Sequence, residues 1–478
     1  MSVSAEVLAL PLCVALDGTL IRSDLFLESL LLLLKRNPLY LFHTLLWLVG
    51  GKAALKAQIA ARVKIDPATL PYDEPFLAWL RAEHAAGREL WLCTATDEEL
   101  AREIAGHLGI FAGIIASDSR VNLSGERKAQ ALIERFGRGA FDYCGTERRD
   151  LAVWRGAHGA IVVNASAALE RSVSAELPVL RRFSCSQSRA RPILRALRPH
   201  QWAKNVLLFV PLLAAHRIAH IAALSAVSLS LVAFSLCASS MYVSNDLLDL
   251  GDDRQHPRKS TRPFACGEVS VATGLTLAAA LLVAALAISL GLSISFRLLL
   301  AAYCALALAY SLVLKRILLL DALALAALYT LRIIAGAAAA SVALSFWLLL
   351  FSLFLFLSLA LVKRYAELET LRQRQRLHAL GRGYRIQDLA VLWSFGTASG
   401  YLSVLVLALY INSPEIQALY HRPKAVWMLC ILLLYWISRV WMTAHRGDMH
   451  DDPVVYALRD RVSLGLGVLA AVTVIVAI

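Results

Sequence analysis

The sequence predicts a two-part chain: an α/β, Rossmann-like domain over residues 1–180, then an all-α transmembrane bundle of about nine helices over residues 205–478. A basic linker, residues 181–204, joins them. Three observations carry this expectation. First, 58% of the 478 residues are hydrophobic and only 17% charged, too apolar for a typical soluble protein. Second, the charge divides unevenly. Residues 1–180 hold 19 Lys+Arg against 21 Asp+Glu, whereas residues 181–478 hold 29 against 14. The basic excess therefore belongs to the greasy part, which points to phosphate ligands or anionic headgroups there. Third, short apolar runs give way to runs long enough to cross a bilayer.

In the first part the short runs are "VLALPLCVAL" (7–16), "ELWLCT" (89–94), "GIIAS" (113–117), "FDYCG" (141–145) and "AIVV" (160–163). Polar, helix-prone segments alternate with most of them, which is the rhythm of a parallel sheet with crossover helices. The stretch "LFLESLLLLLKRNPLYLFHTLLWLVGG" (25–51) is different: two apolar runs split by Lys35, Arg36 and Pro38. Each run is short for a span, so a helical hairpin is expected, either packed as a cap or lying on the membrane surface. The eight cysteines form no CxxC pair and no Cys/His metal spacing. Reduced thiols in or facing a cytoplasm follow. The first twelve residues lack the basic start and long apolar run of a cleavable signal.

The linker holds seven Lys+Arg. After it, nine apolar segments are expected near 205–221, 222–243, 271–292, 295–313, 318–340, 344–362, 388–411, 425–443 and 461–478. If the linker is cytoplasmic, the loops on its side carry 17 Lys+Arg, counting the flanks, and those on the other side carry 4. This bias orients the N-terminal domain and the loops at 244–270, 314–317, 363–387 and 444–460 to the inside of a bacterial-type cytoplasmic membrane.

One of those loops carries the chemistry: "SNDLLDLGDDRQHPRKSTRP" (244–263). On a helix of about 100° per residue, Asp246, Asp249 and Asp253 fall at roughly 0°, 300° and 340°. Three carboxylates so close repel unless a cation sits among them. Mg²⁺ suits the role, because it takes oxygen ligands and bridges to substrate phosphates. Arg254, His256, Arg258, Lys259 and Arg262 follow at once and offer cations for phosphate oxygens. The plainer reading is a solvated loop marking a membrane boundary, but boundary bias uses Lys and Arg, not four Asp. Elsewhere Lys315, Asp321 and Arg332 stand near or within spans, where ionisable groups are functional by default. For Arg332 the alternative is snorkelling or structural pairing, and for Lys315 a boundary anchor.

"NDLLDLGDDRQHPRKSTRP" resembles the first signature of the UbiA superfamily of intramembrane prenyltransferases, Asn-Asp-x-x-Asp-x-x-x-Asp, which begins here at Asn245. Its longer form is similar to the branch that makes decaprenylphosphoryl-5-phosphoribose from a polyprenyl phosphate and phosphoribosyl diphosphate. "LRPHQWAKNVLLFVP" (197–211), "YSLVLKRILLLDALALAALYTLRIIAG" (310–336) and "KRYAEL" (363–368) with "GRGY" (381–384) resemble further stretches of that branch. The resemblance implies Mg²⁺ held by Asp246, Asp249 and Asp253, a catalytic role for these and Asp321, and substrate contacts at Lys204, Asn205, Asn245, Arg254, His256, Lys259, Arg262, Lys315, Arg332, Lys363, Arg364 and Tyr365. Trp202 reads instead as an interfacial anchor. The implied partners are a polyprenyl phosphate, phosphoribosyl diphosphate and the bilayer, in the making of a cell wall lipid precursor; nucleic acid is not among them. Aromatic prenyltransferases of the superfamily usually carry a second Asp-rich motif, yet here Asp321 is followed by "ALALAAL". That departure suits the phosphoribosyl branch.

"VALDGTLIRSD" (14–24) resembles motif one of the haloacid dehalogenase (HAD) superfamily, Asp-x-Asp-Gly-Thr. The nucleophile position is Ala15, while Asp17, Gly18 and Thr19 are kept. "LCTATD" (92–97), "LSGERKAQAL" (123–132) and "DYCGTERRDLAVW" (142–154) fit the other motifs, with Thr94, Lys128 and Asp150 retained and Thr146 standing where an acid is usual. Alanine cannot form a phosphoaspartate, so a HAD-like domain without phosphatase activity is expected, with Thr94, Lys128 and Asp17 still able to meet a phosphate. Two other readings of the whole chain are an aromatic or haem-type prenyltransferase using a prenyl diphosphate, and a non-catalytic lipid-binding or transport scaffold. No inverted hydropathy repeat with broken helices is apparent, which weighs against transport.

Overall fold

The computed structural model describes residues 10–184, 190–373, 383–414, 417, 420–449 and 452–478. Gly381 and Arg382 of the "GRGY" stretch lie outside them. The chain forms two compact units. One comprises Met1–Ala196 with Val243–Leu277, the other Leu197–Tyr242 with Ala278–Ile478. The acid-rich stretch, which the sequence groups with the helical part, thus packs within the first unit.

In that unit the strands are β1 (Leu12–Val14), β2 (Leu90–Asp97), β3 (Gly113–Ser117), β4 (Asp142–Gly145), β5 (Gly159–Val163) and β6 (Val179–Phe183). They form one sheet, ordered β3-β2-β1-β4-β5-β6, and every pairing is parallel. Alternation sends Leu12 and Val14 to one core and Cys13 to the other. Ile161 and Val163 oppose Ala160 and Val162 in the same way. A parallel sheet needs both faces covered, and the helices between strands cover them. The five expected strands are present. β6 was not anticipated, because "VLRRF" is partly exposed along its length and reads as part of a basic linker. The seven described cysteines are unbridged.

The 25–51 stretch folds as α1 (Leu25–Arg36) and α2 (Tyr40–Val49), followed by α3 (Gly51–Ala60). Asp24 caps α1 by accepting from the Leu27 N–H at 3.0 Å, and Asn37-Pro38 ends it. α2 leaves Leu41, Phe42, Leu45, Leu46 and Val49 exposed, an apolar face of the kind that lies at a membrane surface.

Among the described residues seven helices are long and apolar enough to cross a membrane: Ile221–Leu248, Val271–Ser289, Ile294–Leu312, Leu320–Ala340, Phe346–Gln373, Ile386–Ile411 and Pro423–His445. The expectation of about nine differs at both ends. Arg461–Ala477 is a helix of 17 residues, marginal for a span. The first apolar segment is a 3₁₀ stretch, Pro199–Phe209, running into a short α-helix, Val210–Ala214. Pro211 lacks the N–H that an α-helix would direct to the Leu207 carbonyl, which keeps the stretch from forming one long α-helix.

This irregular segment packs against the Leu320–Ala340 helix at Gly336. A Cβ built there would stand 2.0 Å from the Leu208 carbonyl oxygen. Gly336→Ala is therefore expected to force backbone apart, costing about 1–3 kcal/mol or more. Gly465→Ala, where a Cβ meets nothing within 4 Å, should be neutral. Thermal unfolding of the detergent-purified chain, followed by tryptophan fluorescence, distinguishes the two.

Candidate active site

The long helix ends at Leu248, and a short one, Leu250–Gln255, follows across Asp249. This break corrects the expected single face of three carboxylates. Asp246 and Asp253 do converge: both accept from the same Arg262 nitrogen, at 2.9 Å and 2.6 Å. Asp249 turns instead to Lys35 of α1, whose Nζ lies 2.8 Å from Asp249 and 2.7 Å from Asp252. Burial pushes the Asp253 carboxyl up against the opposing pull of Arg262. Burial also works to lower Lys35, but Asp249 and Asp252 outweigh it and hold the ammonium above its ordinary value. Arg254, expected at a phosphate, makes a two-pronged bond to Glu28 at 2.9 Å and 2.5 Å and donates to the Ala265 carbonyl at 3.1 Å. His256 accepts backbone N–H bonds from Arg258 and Lys259, which shapes the turn of the loop.

Among the described residues no group of three or more His, Cys, Asp or Glu is arranged for a metal. Asp246 and Asp253 nonetheless fit Mg²⁺. Two carboxylates aimed at one cationic nitrogen are a donor pair whose focus already holds positive charge, and Mg²⁺ is commonly held by one or two carboxylates with phosphates and waters completing its shell.

The second unit gathers other expected residues around an acid the sequence did not single out. Asp452 accepts from Lys204 at 2.8 Å and from Lys363 at 3.1 Å, while Tyr329 donates to it at 3.4 Å. Burial works to raise this carboxyl, but Lys363 and Lys204 overcome it and hold it well below the usual carboxylate range. Two ammonium groups meeting one buried oxygen form a site shaped for an anion.

Other expected contacts are internally satisfied. Arg332 donates to Asn205 at 2.9 Å, to Tyr303 at 3.0 Å and to the Leu328 carbonyl at 2.5 Å, between the rings of Phe234, Tyr303 and Tyr329. Asp321 lies 2.5 Å from Arg364 and accepts a short bond from Tyr384; Arg364 also reaches Glu367 and Tyr310. Both members of that pair are buried. Tyr365 bonds His445 at 2.9 Å, and Lys315 is likewise partnered. These groups order the helices rather than present open donors. Trp202 donates to Ser239 at 2.8 Å, so its nitrogen faces protein.

A cavity of about 500 Å³ lies where β1 and β2 end, lined in part by Asp17, Lys52, Lys56, Thr94, Lys128 and Asp150. Asp17 accepts from Thr96 at 2.7 Å and from the Leu25 N–H at 2.9 Å. Lys128 donates to Tyr143, which donates to Asp150. Ala15 lines the same cavity, so no carboxylate stands at that position.

Residues 206–461, just over half of the chain, match the UbiA prenyltransferase family. This chain belongs to the UbiA prenyltransferase family. It is a multi-pass integral membrane transferase by that membership. An uncharacterized protein of Sinorhizobium fredii is 37% identical over 97% of this chain and 90% of its own length. The nodulation protein NoeC of Azorhizobium caulinodans is 36% identical over 56% of this chain and 87% of its own. A decaprenyl-phosphate phosphoribosyltransferase of Mycolicibacterium smegmatis is 32% identical over 56% of this chain and 87% of its own. Among solved structures, a UbiA homolog from Archaeoglobus fulgidus aligns with a TM-score of 0.46 at 18% identity over 59% of this chain and 96% of its own; the membership rests on the sequence match instead.

In this UbiA family member the residues that sequence reasoning missed are Glu28 and Asp452. Each had a signal. Glu28 is the one acid in "LFLESLLLLLKR", and a buried acid needs a partner. Asp452 precedes Pro453, an N-cap pattern, and accepts from the Val454 N–H at 3.2 Å.

Burial and then Asp24 push Asp17 up to about 6 from the ordinary 3.8. A carboxyl raised on folding favours the folded state least once ionised. Stability should therefore fall as pH rises from about 4 through 6. Asp17→Asn removes the ionisation, so its unfolding temperature relative to the parent should climb across that window and level off above it. Thermal scans of both proteins from pH 4 to 7.5 check the sign.

Proposed function

We propose that this chain transfers 5-phosphoribosyl from phosphoribosyl diphosphate to a polyprenyl phosphate. The observation that carries the reading is the Asp321–Arg364 pair. With Asp321 buried against Arg364 and Tyr384, the second signature offers no open carboxylate. A prenyl diphosphate clamped between two acid-held metal clusters is then disfavoured against a substrate needing one. The chain's decaprenyl-phosphate phosphoribosyltransferase relatives support the same branch.

Asp246 and Asp253 would hold Mg²⁺, which when bound supplies positive charge to the diphosphate. Arg262, displaced from the two carboxylates, and Lys259 offer further cations to the departing oxygens. Lys204 and Lys363, which meet at the Asp452 carboxylate, offer two ammonium groups to an anionic substrate. A lipid phosphate oxygen attacks ribose C1 as the bond from C1 to the diphosphate oxygen breaks. The diphosphate leaves with the electron pair, and C1 inverts. Positioning and charge stabilisation suffice, with no covalent nucleophile on the protein.

Orientation follows the charge bias, with the N-terminal domain and acid-rich loop inside. The N-terminal domain reads as HAD-like, with Ala15 precluding turnover and the Lys128–Thr94 cavity left for a phosphate.

Membranes containing the protein, given labelled phosphoribosyl diphosphate and polyprenyl phosphate, should yield a labelled lipid on thin-layer analysis. Labelled prenyl diphosphate with an aromatic acceptor should yield none; the reverse result assigns the aromatic prenyltransferase reading. Asp253→Asn should cut transfer about 100-fold, roughly 2.7 kcal/mol of barrier, and full activity in that variant would favour a scaffold. Lys204→Met and Lys363→Met each remove a charged hydrogen bond of roughly 1.5–3 kcal/mol, raising the KM for an anionic substrate about 10–100-fold.

A further inference from the structure

The acid-rich segment is bound into the N-terminal domain by charged side chains that the transfer reaction itself does not require. α1 supplies two of them. Glu28 and Lys35 stand seven residues apart, two turns along one helix face. Glu28 holds Arg254 through two hydrogen bonds and takes a third, short one from Ser23. Lys35 bridges Asp249 and Asp252. A third strut comes from Arg195 in the linker helix Ala190–Leu197, which donates to Glu268 at 2.9 Å and to the Thr261 carbonyl at 2.6 Å. The backbones touch as well: Gly267, at φ +74°, leaves no room for a Cβ beside Arg22.

We propose that α1 is a positioning element for the family's acid-rich signature, so that the N-terminal domain works as a built-in brace of the transferase rather than as a second enzyme. Glu28 is 2% exposed and Arg254 6%. A buried carboxylate is tolerated only against a matched cation, and such pairs set register. The planar fork of arginine meets both Glu28 oxygens while also reaching the Ala265 carbonyl, which closes the loop between residues 254 and 265. Lys35 has a different task. Asp246, Asp249, Asp252 and Asp253 lie within eight residues, and Lys35 neutralises two of them so that the other two can face a common cation. Arg254 and Lys35 are thus positioning residues, which act through the placement of Asp246, Asp249 and Asp253.

The test uses the full-length chain in detergent or nanodiscs and reads the segment directly by hydrogen–deuterium exchange of peptides covering 246–256. Glu28→Arg and Arg254→Glu, made singly, should each speed exchange there at least tenfold. The double variant carrying both changes, which restores the pair with its sign reversed, should return within threefold of the parent. Arg254→Lys, unable to fork, should behave like the disruptive singles. In the transfer assay the same series should raise the KM for phosphoribosyl diphosphate more than that for polyprenyl phosphate, with the reversed pair recovering. Unchanged exchange in both singles, or a reversed pair no better protected than either, overturns the proposal. If the singles do not fold, Lys35→Met decides, with faster exchange at 249–252 expected and unchanged exchange contrary. The activity arm rests on the phosphoribosyl reading. Should the parent transfer no phosphoribosyl group, that reading fails while the exchange series still judges the brace.

Discussion

Carboxylates at a membrane boundary stay together only if positive charge stands among them, and this constraint organises the acid-rich segment. Arg262 joins Asp246 to Asp253, and Lys35 joins Asp249 to Asp252. Four acids within eight residues would otherwise repel. The segment is therefore held together by electrostatics, with each pair of carboxylates focused on one positive atom. Without Arg262 the two carboxylates would have no common point, and the resemblance to a metal-binding signature would stay a matter of spelling.

The second unit solves the inverse problem. Lys204 and Lys363 would repel unless an anion lay between them, and Asp452 supplies it. Arg332 and Arg364 are buried deeper and face protein partners, Asn205 and Tyr303 for one, Asp321, Glu367 and Tyr310 for the other. Buried guanidinium groups held by several side chains keep helices in register, whereas Lys204 and Lys363 meet at a single carboxylate. The distinction separates architecture from site among residues that look alike in sequence.

Much of the architecture was legible. Five strands announced themselves as short apolar runs between turns, and seven spans as long ones, because both signals are local. β6 was hidden by its arginines, and the first apolar segment proved to be a 3₁₀ stretch broken from its short α-helix near Pro211. The site was half legible. Spacing identified Asp246 and Asp253 but placed Asp249 on their face, since a period of 3.6 carries no knowledge of where the helix breaks. Glu28 and Asp452 each had a local signal, but their partners lie 89 to 248 residues away, and a long-range ion pair leaves no periodic trace. Arg254 shows the cost, as it reads as a phosphate contact by proximity to the signature yet spends its fork on Glu28.

Whether Asp246 and Asp253 form a cation site is measured, without any substrate, by electron paramagnetic resonance of Mn²⁺ titrated into the purified full-length chain. One bound Mn²⁺ with an all-oxygen shell is predicted, with affinity reduced at least tenfold in both Asp246→Asn and Asp253→Asn. Absence of bound Mn²⁺ in the parent at millimolar metal, or binding indifferent to both substitutions, would contradict it.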